Sequence, residues 1–319
     1  MADDEYPIEL AAPDIGRYRA GNTGVDYVTR FESGKPGPHV LVSAVVHGNE
    51  LCGAIALDFL FREKVRPLKG KLTLAFCNVA AFLAFDPRRP SASRFVDEDF
   101  NRVWSLDVLD GPRMTAELKR ARELKPFVEQ ADFLLDIHSM QNATAPLMMC
   151  GPLEKGRRFA REIGVPEIVV SDAGHAAGRR MRDFGAFGDA ASKKNALLVE
   201  CGQHWEKASA DVAIDTLVRF LGHLGVVDRG FVERHVRREK PKAQRVIEVT
   251  DSITIRSDGF AFAKDYRGLE VVSKKGTEIG RDGTKPVLTP YDRCVLIMPS
   301  RRLSKGQTAV RLGRFVDQR

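Results

Sequence analysis

The stretch from His39 to Phe61, HVLVSAVVHGNELCGAIALDFLF, constrains the fold of this chain more than any other. Val40 to Val46 is an apolar run of strand length, and Cys52 to Phe61 carries apolar residues at helical spacing. His47-Gly48-Asn49-Glu50 therefore sits where a buried strand gives way to a helix, a favoured place for sites in open α/β sheets. A histidine and a glutamate three positions apart can face one point. Gly48 frees the backbone to turn sharply between them. One imidazole and one carboxylate make up two of the three protein ligands of a catalytic zinc site of the two-His, one-Glu type. The remainder of the chain should then supply a second histidine, a general base and cationic clamps.

Strands alternate with helices up to about residue 225, which points to an α/β fold. Before the central strand, 26–31 alternates like an edge strand. After the first helix, 71–77 reads as a second strand, and Ala84 to Trp104 as a long irregular loop dense in Pro, Ser and charge. The spacing predicts a helix over 112–130, opened by Pro112, then a short apolar strand over 133–138 that breaks at Ser139. Further on, 154–164 and 208–224 read as helices, and 167–170 and 196–200 as strands, the last ending in Glu200. Composition shifts near residue 229. A basic linker running to Arg245 is followed by short strands with Gly-bearing turns, as in a small all-β unit. The expected organisation is a catalytic domain over 1–228 and a β-rich C-terminal domain over 229–319.

Of the 319 residues, 43% are hydrophobic and 29% charged, as in ordinary globular proteins. No apolar run approaches a membrane span. The N-terminus MADDEYPIEL lacks the basic-then-apolar plan of a secretory signal, and five scattered cysteines contain no CxxC pair. The expectation is a cytoplasmic protein with reduced thiols and no membrane partner. A net charge of +7 is compatible with acidic small molecules. The basic run over 229–245 lacks the aromatic interleaving that single-stranded nucleic acid would want, so it reads as a solvated face and no nucleic-acid partner is expected. A homo-oligomer is compatible with the sequence.

Four segments end an element with chemically rich residues: His47 with Glu50, RFVDEDFNR over 94–102, Asp136-Ile-His138, and Glu200-Cys-Gly-Gln-His204. A lone HxxE is common by chance, and His47 alone reads as a hydrogen-bonded histidine at a strand end; the four together carry far more information. Asp136 lies two residues before His138, so on a strand both point to one side. Glu200 reads either as a general base or as an acid salt-bridged near the sheet edge. For Arg94 and Arg102 the competing reading is a surface ion pair with Asp97 or Asp99. Arg179, Arg180 and Arg182 either reach a second anionic group or form a solvated helix end. His175 and His204 read as surface or core histidines, and Tyr291 lies in the C-terminal part.

With these motifs in view, the chain resembles the succinylglutamate desuccinylase/aspartoacylase family, relatives of the zinc carboxypeptidases. HGNE at 47–50, RFVDEDFNR at 94–102, DIHS at 136–139 and VECG at 199–202 carry the likeness. It covers about 45–225 closely and the C-terminal part loosely. The resemblance implies a three-layer α/β/α zinc-carboxypeptidase-like domain and one Zn2+ per chain held by His47, Glu50 and His138, with a water completing the site. It also implies Glu200 as general base, Arg94 as stabiliser of the oxyanion, Asn101 and Arg102 as the grip on a substrate carboxylate, and Asp136 as the acceptor that orients a ligand imidazole. Asp99 would brace the loop. The implied activity is removal of the acyl group from a small anionic N-acyl amino acid. A zinc carboxypeptidase acting on short peptides is the alternative, and a non-catalytic binding module the reading from another class.

Overall fold

The computed structural model describes residues 6–174 and 177–316. An eleven-stranded sheet dominates it, in the order β1-β3-β2-β4-β7-β5-β6-β8-β14-β13-β10. Its centre is parallel: β3 (Lys71–Phe76), β2 (His39–Ala44), β4 (Phe133–Met140) and β7 (Asn195–Gln203). Every residue of β2 and β7 is buried, because parallel strands are covered on both faces. The edge strand β1 (Val28–Glu32) runs antiparallel to β3. On the other side come β5 (Leu147–Met149), antiparallel to β7, and β6 (Ile168–Ser171).

Helices cover both faces. One core lies between the sheet and α1 (Leu51–Arg62), α5 (Glu154–Ile163) and α6 (Lys207–His223), with Leu57, Phe159 and Leu217 buried in it. A second core on the opposite face packs Phe100, Trp104 and Phe184 against α4 (Ala116–Gln130). The layering is α/β/α. Two short helices, α2 (Val79–Leu83) and α3 (Leu106–Leu109), flank the long loop. The fourth helix begins later than its periodicity suggests. Thr115, not Pro112, sets the start, its hydroxyl accepting from Leu118 N at 3.1 Å.

Beyond residue 228 the basic stretch opens with a helix, α7 (Arg229–His235), instead of a linker. Asp228 caps it by accepting from Phe231 N at 2.7 Å, and Phe231 packs on Phe59 of α1. Then β8 (Arg245–Thr254) pairs parallel to β6 and carries the main sheet onward. It continues into β14 (Thr308–Val316), β13 (Cys294–Ile297) and β10 (Val271–Val272). Strands β9 (Phe260–Phe262), β11 (Glu278–Asp282) and β12 (Lys285–Leu288) form a separate small sheet. Among the described residues no helix is long and apolar enough to cross a membrane. The five cysteines are buried and unbridged.

Candidate active site

The ends of β2, β4 and β7 converge at one edge of the parallel sheet. Past β2 the backbone is strained: Val45, a β-branched residue, holds φ 53°. The strain belongs to the turn that delivers His47. Gly48 is required for a different reason than a sharp turn. A Cβ there would lie 2.2 Å from the Ala81 carbonyl carbon and 2.4 Å from the Ser93 oxygen. That close approach lets Gly48 N donate to Arg94 O at 3.1 Å, tying the His47 turn to the arginine-bearing loop.

His47, Glu50 and His138 offer one ligand atom each within 4.8 Å of one another, and all three are buried. Glu50 is the hub: Oε1 lies 2.7 Å from His47 Nδ1 and Oε2 lies 2.9 Å from His138 Nδ1. The far nitrogens are held as well. His47 Nε2 is 3.0 Å from Asp99 Oδ1, and His138 Nε2 is 3.0 Å from Asp136 Oδ2. Asp136 is itself fixed by the Ser43 hydroxyl, which donates to Oδ1 at 2.7 Å. Both imidazoles thus present Nδ1 inward and anchor Nε2 on a carboxylate, the arrangement that fixes ring orientation in histidine metal sites. Burial alone would raise the Glu50 carboxyl, yet His47 and His138 hold it well below the usual carboxylate range. Burial would lower His138, yet Asp136 and Glu50 hold it well above the ordinary histidine value. Such a pocket favours positive charge, and its two nitrogens and one carboxylate suit zinc better than all-oxygen cations.

Glu200 is register partner of His138, so its side chain leaves the same face of the sheet. Its Oε2 is buried without a hydrogen-bond partner. Burial, with the negative charge of Glu50, pushes its carboxyl up to about 8, against the pull of His138 and Arg94. Arg94 Nη2 donates to Asp99 Oδ2 at 3.1 Å, and its Nη1 is 3.6 Å from Glu50 Oε1. Asp99 therefore braces the loop, accepting also from Asn101 N, and orients His47. Asn101 and Arg102 line the same cavity. The Asn101 Oδ1 is engaged with Met181 N at 2.9 Å, and Arg102 Nη1 donates to Asn101 O at 2.7 Å.

The cavity holds about 460 Å³. It brings together His47, Glu50, His138, Glu200, Arg94, Asn101 and Arg102. Asp136 stands behind His138 and does not line it. Of the three basic residues over 179–182, only Arg180 lines it, held by Asp172 and Asp183. Arg179 is exposed, and Arg182 donates to the carbonyls of Cys150 and Ala196. Tyr291 bonds Thr250 away from the cavity, at 2.6 Å. His175 lies outside the described residues. His204 does line the cavity, with Nδ1 2.9 Å from the Ser139 hydroxyl, and burial lowers its pKa to about 3, leaving it neutral. Arg311 on β14 also enters it, its Nε 3.2 Å from Asp172 Oδ2. No local motif marks Arg311; only the sheet topology brings it in.

Residues 36–221, more than half of the chain, match the succinylglutamate desuccinylase/aspartoacylase catalytic domain. The N-acyl-aromatic-L-amino acid amidohydrolase (carboxylate-forming) of Rattus norvegicus is 30% identical over 127 residues, 37% of this chain and 37% of that protein. The chain thus spans little more than a third of the curated relative it matches. Among solved structures, succinylglutamate desuccinylase from Vibrio cholerae superposes with a TM-score of 0.67 at 18% identity, over 92% of this chain and 87% of that one. The product-bound ectoine utilization protein EutE (DoeB) from Ruegeria pomeroyi gives 0.61 at 17% identity, over 97% of each. On the extent of the catalytic-domain match, the chain belongs to the succinylglutamate desuccinylase/aspartoacylase family.

Proposed function

We propose that this protein is a zinc-dependent amidohydrolase that removes the acyl group from a small anionic N-acyl amino acid. The observation that carries the reading is the convergence of His47, Glu50 and His138 on one point, with the Glu200 carboxyl leaving the same sheet face. When bound, zinc would act as a Lewis acid that lowers the pKa of a water and polarises the amide carbonyl. His47, Glu50 and His138 would hold it.

The chain's own groups supply the rest. Glu200 takes a proton from the attacking water and returns it to the leaving amine, so that the C–N bond breaks to a free amino group. Glu200, whose carboxyl burial pushes up to about 8, would be readied as a base by the positive charge of a metal held beside it. Arg94, fixed by Asp99, meets the charge that develops on the carbonyl oxygen. Arg102 grips the substrate carboxylate, and Asn101 shapes that end of the cavity. A cavity of about 460 Å³ suits a small molecule better than a folded chain. The two matched activities, desuccinylation or deacylation of amino acids, support the same reaction class.

The test is metal analysis of the purified protein joined to a screen of N-acyl amino acids, with Glu200→Gln alongside. One zinc per chain and amide hydrolysis lost in the variant are expected. Equal turnover by wild type and variant would remove Glu200 from its role.

A further inference from the structure

The cavity has two chemically different walls, and they bear on which substrate fits. The cations that line the cavity past Arg102 are engaged with acids or backbone, Arg267 with Asp265 at 3.1 Å and Arg302 with the Ser91 carbonyl at 3.4 Å among them. Arg180 forks onto Asp172 at 2.5 and 3.1 Å and reaches Asp183 with Nε at 2.6 Å. Asp172 also faces Arg311. Behind this wall, and not lining it, Arg182 binds backbone carbonyls and Asp183. These arginines brace the wall through Asp172 and Asp183, which weakens their appeal to a second substrate carboxylate.

The other wall is apolar and is placed by strand alternation. Residues two apart on a strand leave one face about 7 Å apart. Met140 therefore follows His138 on the face of the metal ligands, and Leu198 precedes Glu200 on the face of the base. Met149 is the register partner of Leu198 across β5 and β7. Half-buried Met298, at the end of β13, closes the row. All four line the cavity and belong to or pack against one apolar cluster. Thioethers are flexible and make favourable contacts with aromatic edges. A group attached next to the scissile amide, beside Glu200, would meet this shelf.

From this we infer that the site takes N-acyl amino acids carrying one carboxylate and an apolar side chain, with that side chain on the shelf of Met140, Met149, Leu198 and Met298. The inference rests on the amidohydrolase reading above and narrows it away from diacids of the succinylglutamate type.

The experiment compares kcat/KM of the zinc-loaded full chain for N-acetyl-L-phenylalanine and N-acetyl-L-leucine against N-acetyl-L-aspartate and N-succinyl-L-glutamate. The apolar pair should lead by at least about tenfold. Met298→Lys places a charge on the shelf and should cut that ratio by about tenfold or more, chiefly through KM. Met149→Leu conserves volume and polarity and should keep the ratio within about threefold. Thermal melting checks that both variants fold. A wild type that prefers the diacids overturns this inference alone, as does a folded Met298→Lys with an unchanged ratio. A zinc-loaded protein that hydrolyses neither class overturns the amidohydrolase reading and this inference with it.

Discussion

His138 and Glu200 are register partners on the adjacent parallel strands β4 and β7, so one strand delivers an inward-facing imidazole and its neighbour a carboxyl on the same face. The pairing has a direct consequence. Glu200→Gln keeps the shape of the side chain and removes the base. It should lower kcat by about 10²- to 10⁴-fold while metal content stays at the wild-type level. Single-turnover assays with metal analysis on the same sample separate the two effects. A variant that turns over normally, or one that loses its metal, contradicts the assignment.

Asp136 touches the site only through His138. Asp136→Asn leaves the three donors in place but alters the partner that fixes the imidazole. Zinc affinity should fall by about 10- to 100-fold, read by competition with a chromophoric chelator. Asp99→Asn should do the same through His47 and also slacken Arg94, so its kcat should fall further than that of Asp136→Asn at saturating zinc. Equal kcat values for the two would mean that Asp99 does not position Arg94.

Arg94 and Arg102 occupy one loop but should fail differently. Arg94→Met removes charge that matters as the carbonyl oxygen becomes negative, so kcat should drop by about 10²- to 10³-fold. Arg102→Met removes a grip on a carboxylate present in both ground and transition states, so KM should rise with kcat little changed. Steady-state kinetics on one N-acyl amino acid distinguishes them, and a reversed pattern exchanges the roles.

The arginine loop hangs from a residue that reads as an ordinary helix charge. Glu117, fully buried at the start of α4, accepts from Val96 N at 2.7 Å and Asn78 Nδ2 at 2.9 Å with one oxygen. Its other oxygen accepts from Asp97 N at 3.1 Å and Glu98 N at 3.2 Å. Glu117→Ala strands these donors and should cost about 2–4 kcal/mol of stability, with a loss of kcat because Arg94 loses its support. Chemical denaturation and kinetics below the transition test both parts. Full activity in a destabilised variant would show that the loop holds its shape without Glu117.

How far the site was legible follows from how local each signal is. HGNE was readable because the apolar period changes from strand to helix on either side of it, and HGNE with DIHS and VECG name the ends of three parallel strands. The α/β/α layering follows from the same alternation. What escaped depends on distance in sequence. Arg311 and Met298 reach the cavity only because β8 extends the main sheet and β14 and β13 follow it. Glu117 has four donors, three of them backbone groups some 20 residues away, and no residue pattern announces them. The helix over Arg229–His235 was hidden by its charge, since only Phe231 and its apolar neighbours reveal the buried side.

His39 opens β2 and is buried, with Nε2 2.8 Å from the Thr73 hydroxyl. Burial, helped by the positive charge of Arg30 and opposed by Asp132, lowers its pKa to about 4. In the unfolded chain it titrates near the ordinary value of about 6.5. Between those two values the unfolded state binds the proton and the folded state does not, so stability falls as pH drops from about 6.5 to about 4 and changes no further below. The loss should reach at most about 3 kcal/mol. His39→Gln keeps a polar partner for Thr73 without a titrating group. Its stability should be within about 1 kcal/mol of wild type at pH 8, and it should lack this portion of the acid decline. Urea unfolding of both proteins from pH 8 to pH 4.5 gives the difference directly: the curves should converge or cross on the acid side, and curves that stay parallel would place the proton uptake elsewhere.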